Sequence, residues 1–563
     1  MLHIVRRSVA AVLAGSAISS VVLGQQAQPQ PQQQAQQRAP APNILRREID
    51  AHLRFLSSDL LEGRAPATRG GSLAEQYIAT ELESYGIQPG VNGSYFQPVP
   101  IDVVASDPKT INVTASGKAI ATLRFPEDVV VWAGSATPRS EAKGELVFVG
   151  YGAKAPEYKW DDLKGTDLKG KILLVLVNDP PAPQSEPKLF GGKAMTYYGR
   201  WTYKYEEAER QGAAGMLIVH TPYEAGYPWQ VVTGSNSKEH RLLPRPADAP
   251  PPVAVRGWIQ HDVAANLLKQ AGLDLAQLTK DADTRSFKPV PTGITMDMSF
   301  ANSVAHMTSN NVVGVVPGSD AKLRDQYVLY SAHWDHLGIG PAVNGDSIYN
   351  GAYDNASGVA TVLAVAHAAA TAPVKPERSQ LFVFVTAEES GLLGSQYFGE
   401  HPTVPSRDIV AAINIDEANV GGKVRDLTVL GETKSSLGPA LTALVKSDGM
   451  RLSPEAHPEA GSFYRSDHFS FARVGIPSVS IGSGTDYVGQ PSGWGKTEEE
   501  DFVSKRYHQP SDEYRANWDL TGAVQLGEIA YRFGNELANT STLPTWNADA
   551  EFRAMREKAL GGR

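Results

Sequence analysis

From Ile44 onward the spacing of apolar and polar positions changes character several times. Residues 44–61 and 72–85 carry apolar side chains at helical intervals, the second run ending at Gly86. Between them, Glu62-Gly-Arg-Ala-Pro-Ala-Thr-Arg-Gly-Gly71 reads as a turn-rich loop. Residues 97–133 alternate apolar and polar positions, the period of strands. A second stretch has short β-rich runs at 144–149, 171–177 and 215–219 and a charged helical segment at 201–211. Proline clusters at 180–183 and 244–252 mark its loops. Residues 259–279 read as one helix, and 289–308 as the route out of this unit. The third stretch has β-branched or aromatic runs at 327–331, 381–386, 409–415 and 477–481. An alanine-rich helix at 357–371 and another at 437–448 lie between them. Such alternation predicts an α/β fold, a sheet with helices on both faces.

Composition narrows the chemistry. The 563 residues suffice for two to four domains, and 42 % hydrophobic with 20 % charged residues excludes bulk disorder. A net charge of −9 offers no basic footprint for nucleic acid. The chain has no cysteine, which excludes disulfides, thiolate metal sites and cysteine nucleophiles, so any metal must be held by His, Asp and Glu. At the start, Arg6 and Arg7 precede the apolar, small-residue run Ser8 to Gly24, and no acidic residue occurs before Glu48. That pattern predicts an export signal at 1–26, with an uncleaved anchor as the alternative. Cleavage would leave an exported protein, periplasmic or secreted, with no stable membrane insertion. The Gln/Pro-rich residues 27–43 read as a flexible linker.

Candidate chemistry concentrates where the strands of the third stretch end. The run 327–331 leads into Ala332-His333-Trp334-Asp335-His336, and 381–386 into Ala387-Glu388-Glu389-Ser390. The run 409–415 leads into Asp416-Glu417, Asp354 precedes the alanine-rich helix, and Tyr507-His508 comes late. In open α/β sheets the carboxyl ends of the strands form the ligand-binding crevice. Two metals about 3.5–4 Å apart need a bridging carboxylate and terminal ligands on each side. His333, Asp354, Glu389, Asp416 and His508 supply such a set, with Glu388 beside it as a proton acceptor. Each has an ordinary reading as well. Asp354 suits a helix N-cap, a Glu-Glu pair suits a solvated surface, and Asp512 and Glu513 suit a surface or a partner for His508.

Five blocks carry a resemblance to a known family. They are Ser331-Ala-His-Trp-Asp-His-Leu-Gly338, Gly351-Ala-Tyr-Asp-Asn-Ala-Ser-Gly358, Thr386-Ala-Glu-Glu-Ser-Gly-Leu-Leu-Gly-Ser395, Asn414-Ile-Asp416 and Tyr507-His508. Together they resemble the co-catalytic zinc aminopeptidases of metallopeptidase family 28. The resemblance implies a zinc-exopeptidase fold, peptide substrates and two zinc ions per chain. His333 and Asp416 would hold one zinc, Glu389 and His508 the other, and Asp354 would bridge them. Glu388 would be the general base, Asp335 would orient His333, and Tyr507 would hydrogen-bond the oxyanion. Ser466-Asp467-His468 is also similar to a family segment and is assigned structural support, while His336 and His367 match no ligand position. Gly144 to Gly152, Trp160-Asp161-Asp162, Gly170-Lys171-Ile172 and Gly212 to Val219 resemble the protease-associated domain. The implied layout is a peptidase domain in two parts, 44–135 and 291–545, interrupted by that inserted domain at 136–290 and followed by a tail at 546–563. Competing readings are a carboxypeptidase or dipeptidase of the same fold, for which Arg465 and Arg473 lie near the relevant segment, and a metal-free, receptor-like binding protein.

Overall fold

A computed structural model of the protein describes residues 43–237, 239–245 and 249–561. The expected leader at 1–26 and the linker at 27–43, save its last residue, lie outside the described residues. Strands and helices used below are β1 (Phe96–Ser106), β2 (Asn112–Gly117), β3 (Val129–Ala133), β4 (Arg139–Phe148), β5 (Ile172–Leu176), β6 (Gly215–His220), β7 (Val255–Gln260) and β8 (Val290–Val316), followed by β9 (Tyr327–His333), β10 (Ser379–Val385), β11 (Ile409–Asn414), β12 (Asp426–Leu430) and β13 (Ser478–Ser483), with α1 (Arg46–Leu56), α2 (Arg69–Ser84), α3 (Trp201–Arg210), α4 (Gly358–Thr371) and α5 (Thr521–Asn539).

The main sheet runs β1–β8–β10–β9–β11–β13–β12. Its four central strands β10, β9, β11 and β13 are parallel, and the flanking strands are antiparallel. Parallel strands are buried on both faces, which accounts for their unbroken apolar runs such as Leu381-Phe-Val-Phe-Val385. One face is covered by α1, α4 and α5 in a single apolar cluster, the other by helices around Phe398 and Phe471. The alanines of α4 let its backbone lie close to the sheet and to α1 and α5, so this helix is buried almost throughout. The α/β fold with a mixed sheet and helices on both faces is therefore as expected.

A second sheet is built from β2 to β7 and the first half of β8. The 27-residue β8 belongs to both sheets, pairing with β2 and β4 early and with β1 and β10 late. The second sheet takes strands from Asn112 onward, ahead of the boundary at 136 that the sequence suggests. Residues 289–308, expected only as a route out, are the rail joining the sheets. The single helix expected over 259–279 is instead two, His261–Gln270 and Leu275–Ala282. Gly272 takes a left-handed φ of +79° and ends the first; the Asp274 carboxylate accepts the Ala276 N–H and starts the second. The tail beyond 546 docks through Trp546 and Phe552 against Phe463 and Phe469. Among the described residues, no helix is long and apolar enough to cross a membrane.

Candidate metal centre

Because β10, β9 and β11 lie side by side and run parallel, their carboxyl ends open on one edge. His333 is the last residue of β9, Glu388 and Glu389 follow β10, and Asp416 follows β11. Asp354 comes from the turn at Ala352–Ser357 before α4, and His508 from the loop after the helix Trp494–Lys505. The structure brings all five sequence-predicted ligands together. His333 Nε2 lies 3.1 Å from Asp416 Oδ1 and 3.3 Å from Asp354 Oδ1. His508 Nε2 lies 3.0 Å from Glu389 Oε2 and 3.3 Å from Asp354 Oδ2. Asp354 thus turns one oxygen to each histidine.

The donors fit divalent cations. His508 Nε2 is buried and makes no aligned hydrogen bond, although oxygens of two carboxylates lie within 3.3 Å. Imidazole and carboxylate donors without thiolates suit zinc and related ions. The electrostatics say the same. Burial alone would lower the pKa of His508, but the adjacent carboxylates of Asp354 and Glu389 hold it up at about 10. Burial likewise opposes a proton on His333, and Asp416 and Glu388 raise it well above the usual range. Glu389 resists the upward push of burial and of Asp354, held down at about 2 by His336 and His508. The surrounding carboxylates favour positive charge here, the kind a divalent cation would supply.

The catalytic candidates are placed as follows. Glu388 lies next to the Glu389 ligand position, and burial pushes its carboxyl well above the usual carboxylate range. Its backbone N–H donates to Asp335 Oδ1 at 3.0 Å. The Asp335 carboxylate is 4.0 Å from His333 Nδ1, which instead faces the Asp335 backbone carbonyl at 3.2 Å. Asp335 therefore fixes the His333 ring through its main chain and the Glu388 loop through its side chain. The Tyr507 ring stacks on His508 with centroids 3.8 Å apart and is 37 % exposed.

Several further residues steady the site; of these, Asn355 and Arg64 were not singled out from sequence. Asp512, read there as surface or a partner of His508, is buried and accepts hydrogen bonds from the backbone N–H groups of Tyr353 and Asp354. It aims the bridging position rather than the histidine. Ser466 Oγ donates to Asp416 Oδ2 at 2.7 Å. Asn355 Oδ1 accepts from Glu417 N–H, tying the Asp354 turn to the Asp416 loop. Arg64 is fully buried, and its guanidinium donates to the carbonyls of Trp334, Leu56, Asn350 and Gly351.

His336 is buried with Nδ1 2.8 Å from Glu389 Oε1, while Glu389 Oε2 faces His508. This contact holds one oxygen of Glu389 and leaves the other for a metal. Residues that orient a ligand in this way are typically worth about 10–100-fold in metal affinity. His336→Ala should lower the affinity for an ion held by Glu389 by that factor and leave any ion held by His333 and Asp416 nearly unchanged, read by zinc titration against a competing chelator. Equal weakening of both ions would show that His336 supports the whole site instead.

Residues 311–532 match the profile of Peptidase family M28. The matched segment makes up less than half of the chain. That segment begins within β8 and ends within α5, so it contains the central sheet and every candidate ligand. The chain is 28 % identical over 218 residues to "Leupeptin-inactivating enzyme 1" of Streptomyces exfoliatus, covering 38 % of this chain and 45 % of that protein. It is 30 % identical over 198 residues to a "Vacuolar membrane protease" of Schizosaccharomyces japonicus, covering 34 % and 19 %. The matched stretches span less than half the length of these curated relatives. Among solved structures, an aminopeptidase from Aneurinibacillus sp. strain AM-1 aligns over 89 % of this chain and 95 % of that one, with a TM-score of 0.47 and 19 % identity.

Proposed function

We propose that this protein is an exported metallo-aminopeptidase that removes N-terminal residues from peptides with two zinc ions per chain. The observation that carries the reading is Asp354, which presents one oxygen to a His333–Asp416 pair and the other to a His508–Glu389 pair. His333 and Asp416 would hold one zinc, Glu389 and His508 the second, and Asp354 both. Bound zinc would supply Lewis acidity, polarising the scissile carbonyl and making water acidic near neutral pH. The remaining work falls to the chain. Glu388 takes a proton from the attacking water and returns it to the leaving amine. Tyr507 donates its hydroxyl to the oxyanion, and the stacked His508 ring limits where that hydroxyl can go. Asp335 keeps Glu388 and His333 in register. The unit around the second sheet is read as a protease-associated domain, and the N-terminal residues as an export signal.

A carboxypeptidase or dipeptidase reading needs a cation for the substrate carboxylate; of the two arginines the sequence offers, Arg473 is paired with Glu206 at 3.1 Å and Arg465 is exposed. A receptor-like reading expects a ligand or the base to be missing, and none is. The test is a mixture of free and N-acetylated peptides followed by mass spectrometry, with and without chelator. The expected result is stepwise N-terminal loss from the free peptides only, abolished by chelator and restored by zinc. C-terminal loss would move the protein to the carboxypeptidase branch. No cleavage by the zinc-loaded protein would overturn the peptidase reading.

A further inference from the structure

The loop that carries Glu388 and Glu389 is closed by its own backbone. The Gly391 and Leu392 N–H groups donate to the Glu388 carbonyl at 2.8 and 2.9 Å, and Leu393 N–H donates to the Ala387 carbonyl at 3.0 Å. Ala387 and Leu392 hold left-handed φ angles of +54° and +64°. A residue with a Cβ keeps that conformation only where its surroundings enforce it. At the metal centre, Asp335 holds the Glu388 N–H, and His336 and His508 meet the Glu389 carboxylate.

A further hold on this loop comes from the second unit. Between β6 and β7 the chain leaves the second sheet, and His240–Leu242 adds a strand to the main sheet. It runs antiparallel to β1, with His240 opposite Val104 and Leu242 opposite Asp102. Successive side chains of a strand point to opposite faces. His240 stacks on Trp132 of β3 with ring centroids 5.1 Å apart, which ties this arm to its own unit. Arg241, on the other face, donates from Nη1 to Ser390 Oγ at 3.1 Å. Its Nη2 lies 3.1 Å from Glu239 Oε1, an exposed ion pair within the arm, of the kind that contributes little. The bond to Ser390 instead joins two units, and its charged donor makes it stronger than a neutral one. Leu243 packs against the cluster of Val99, Ile101, Ala387 and Leu393, which contains both ends of the loop. Residues 239–243 thus meet the loop at its middle through Arg241 and at its base through Leu243.

We propose that Arg241 is a positioning residue for the metal centre, acting through Ser390 to keep the Glu388–Glu389 loop in its working geometry. Its effect on turnover rests on the peptidase reading; its effect on the loop does not. Arg241 lies outside residues 311–532, so the second unit supplies from elsewhere in the chain a support that the M28-matching segment lacks on its own. Small displacements of a proton acceptor are expensive in rate, because the reacting atoms must be held within a fraction of an ångström. A single bond to the middle of a strained loop is therefore enough to be felt in kcat.

The experiment compares Arg241→Ala, Ser390→Ala and the double variant in the full chain, with two readouts. On zinc-loaded protein, each single variant should lower kcat roughly 10-fold, the scale of one hydrogen bond to a charged group, with KM nearly unchanged. The double variant should be no slower than either single one, because both remove the same interaction. On metal-free protein, hydrogen–deuterium exchange at the Gly391 and Leu392 amides should quicken in all three variants, while α4 exchanges as in the parent. The Arg241 side chain is 26 % exposed, so its truncation opens no core, and Ser390→Ala reports on the same bond from the other side. A raised KM with kcat unchanged would make Arg241 a substrate contact and overturn the positioning role. Losses that multiply in the double variant, or exchange that quickens in α4 as well, would also overturn it. If the parent cleaves no peptide, the peptidase reading fails instead, and exchange decides alone. Faster exchange at Gly391 and Leu392 in both single variants then upholds the role of Arg241, and unchanged exchange overturns it.

Discussion

Replacing Glu388 with glutamine is expected to lower kcat by roughly 10²–10⁴-fold, the usual contribution of a positioned acid–base group. The same variant should take up the same amount of zinc as the parent. Both parts follow from where Glu388 sits. Its backbone N–H is anchored on Asp335 Oδ1, so the loop conformation does not depend on its side chain. Glu389, the neighbouring ligand candidate, is held separately by His336 and His508. Glutamine keeps the shape of glutamate and cannot accept and return a proton. Burial and the neighbouring carboxylates raise the Glu388 pKa while His333 opposes them, so the group is disposed to carry a proton for part of a cycle. Metal content by mass spectrometry, set beside kcat, separates the outcomes. Unchanged turnover would remove Glu388 from the mechanism; lost turnover with lost zinc would make it a ligand rather than a base.

The legible parts of the fold were those with a repeating physical signal. The parallel strands announce themselves because both faces are buried, as in Leu381 to Val385, and their ends mark the edge where chemistry collects. His333, Glu389 and Asp416 could be picked out because each follows such a strand within a few residues. The break at Gly272 was hidden because apolar spacing continues on both sides of it, and only the left-handed turn interrupts the helix. β8 was underread for a different reason: it changes sheets midway, so no single alternation runs along it. Nothing local assigns Asp512 to the Asp354 turn or His336 to Glu389. Asp512 looks like one of many surface acids until the Asp354 turn is brought onto it. Arg64 lies in a stretch rich in glycine and proline, the composition of an exposed loop, yet its side chain is among the most deeply buried in the protein. Long-range contacts between segments hundreds of positions apart decide these residues, and periodicity does not encode them.

Arg64→Ala is expected to destabilise the protein on the order of 3–5 kcal/mol, the cost of removing one partner from a buried charged network. The guanidinium binds four carbonyls from three segments. Leu56 ends α1, Trp334 follows His333, and Asn350 and Gly351 lead into the Asp354 turn. Its loss leaves all four acceptors without their donor. The local backbone adds to the effect. Glu62, Gly63 and Arg64 all have positive φ, and for the two residues with side chains this conformation costs about 1–2 kcal/mol each. The inward hydrogen bonds of Arg64 offset that cost. A Cβ on Gly63 would lie 2.5 Å from the Tyr349 carbonyl, so the turn cannot easily be rebuilt another way. Charge works in the opposite direction: Asp335, Asp512, Asp354 and Glu389 all act on Arg64, and its removal makes the site more negative and more attractive to cations. If charge dominated, Arg64→Ala would bind zinc more tightly. If geometry dominates, as four lost hydrogen bonds imply, zinc affinity and thermal stability fall together. Arg64→Lys distinguishes the two, because it keeps the charge and loses the fork. A lysine variant nearly as unstable as the alanine variant is the expected result; one as stable as the parent would show that charge alone holds the floor of the site.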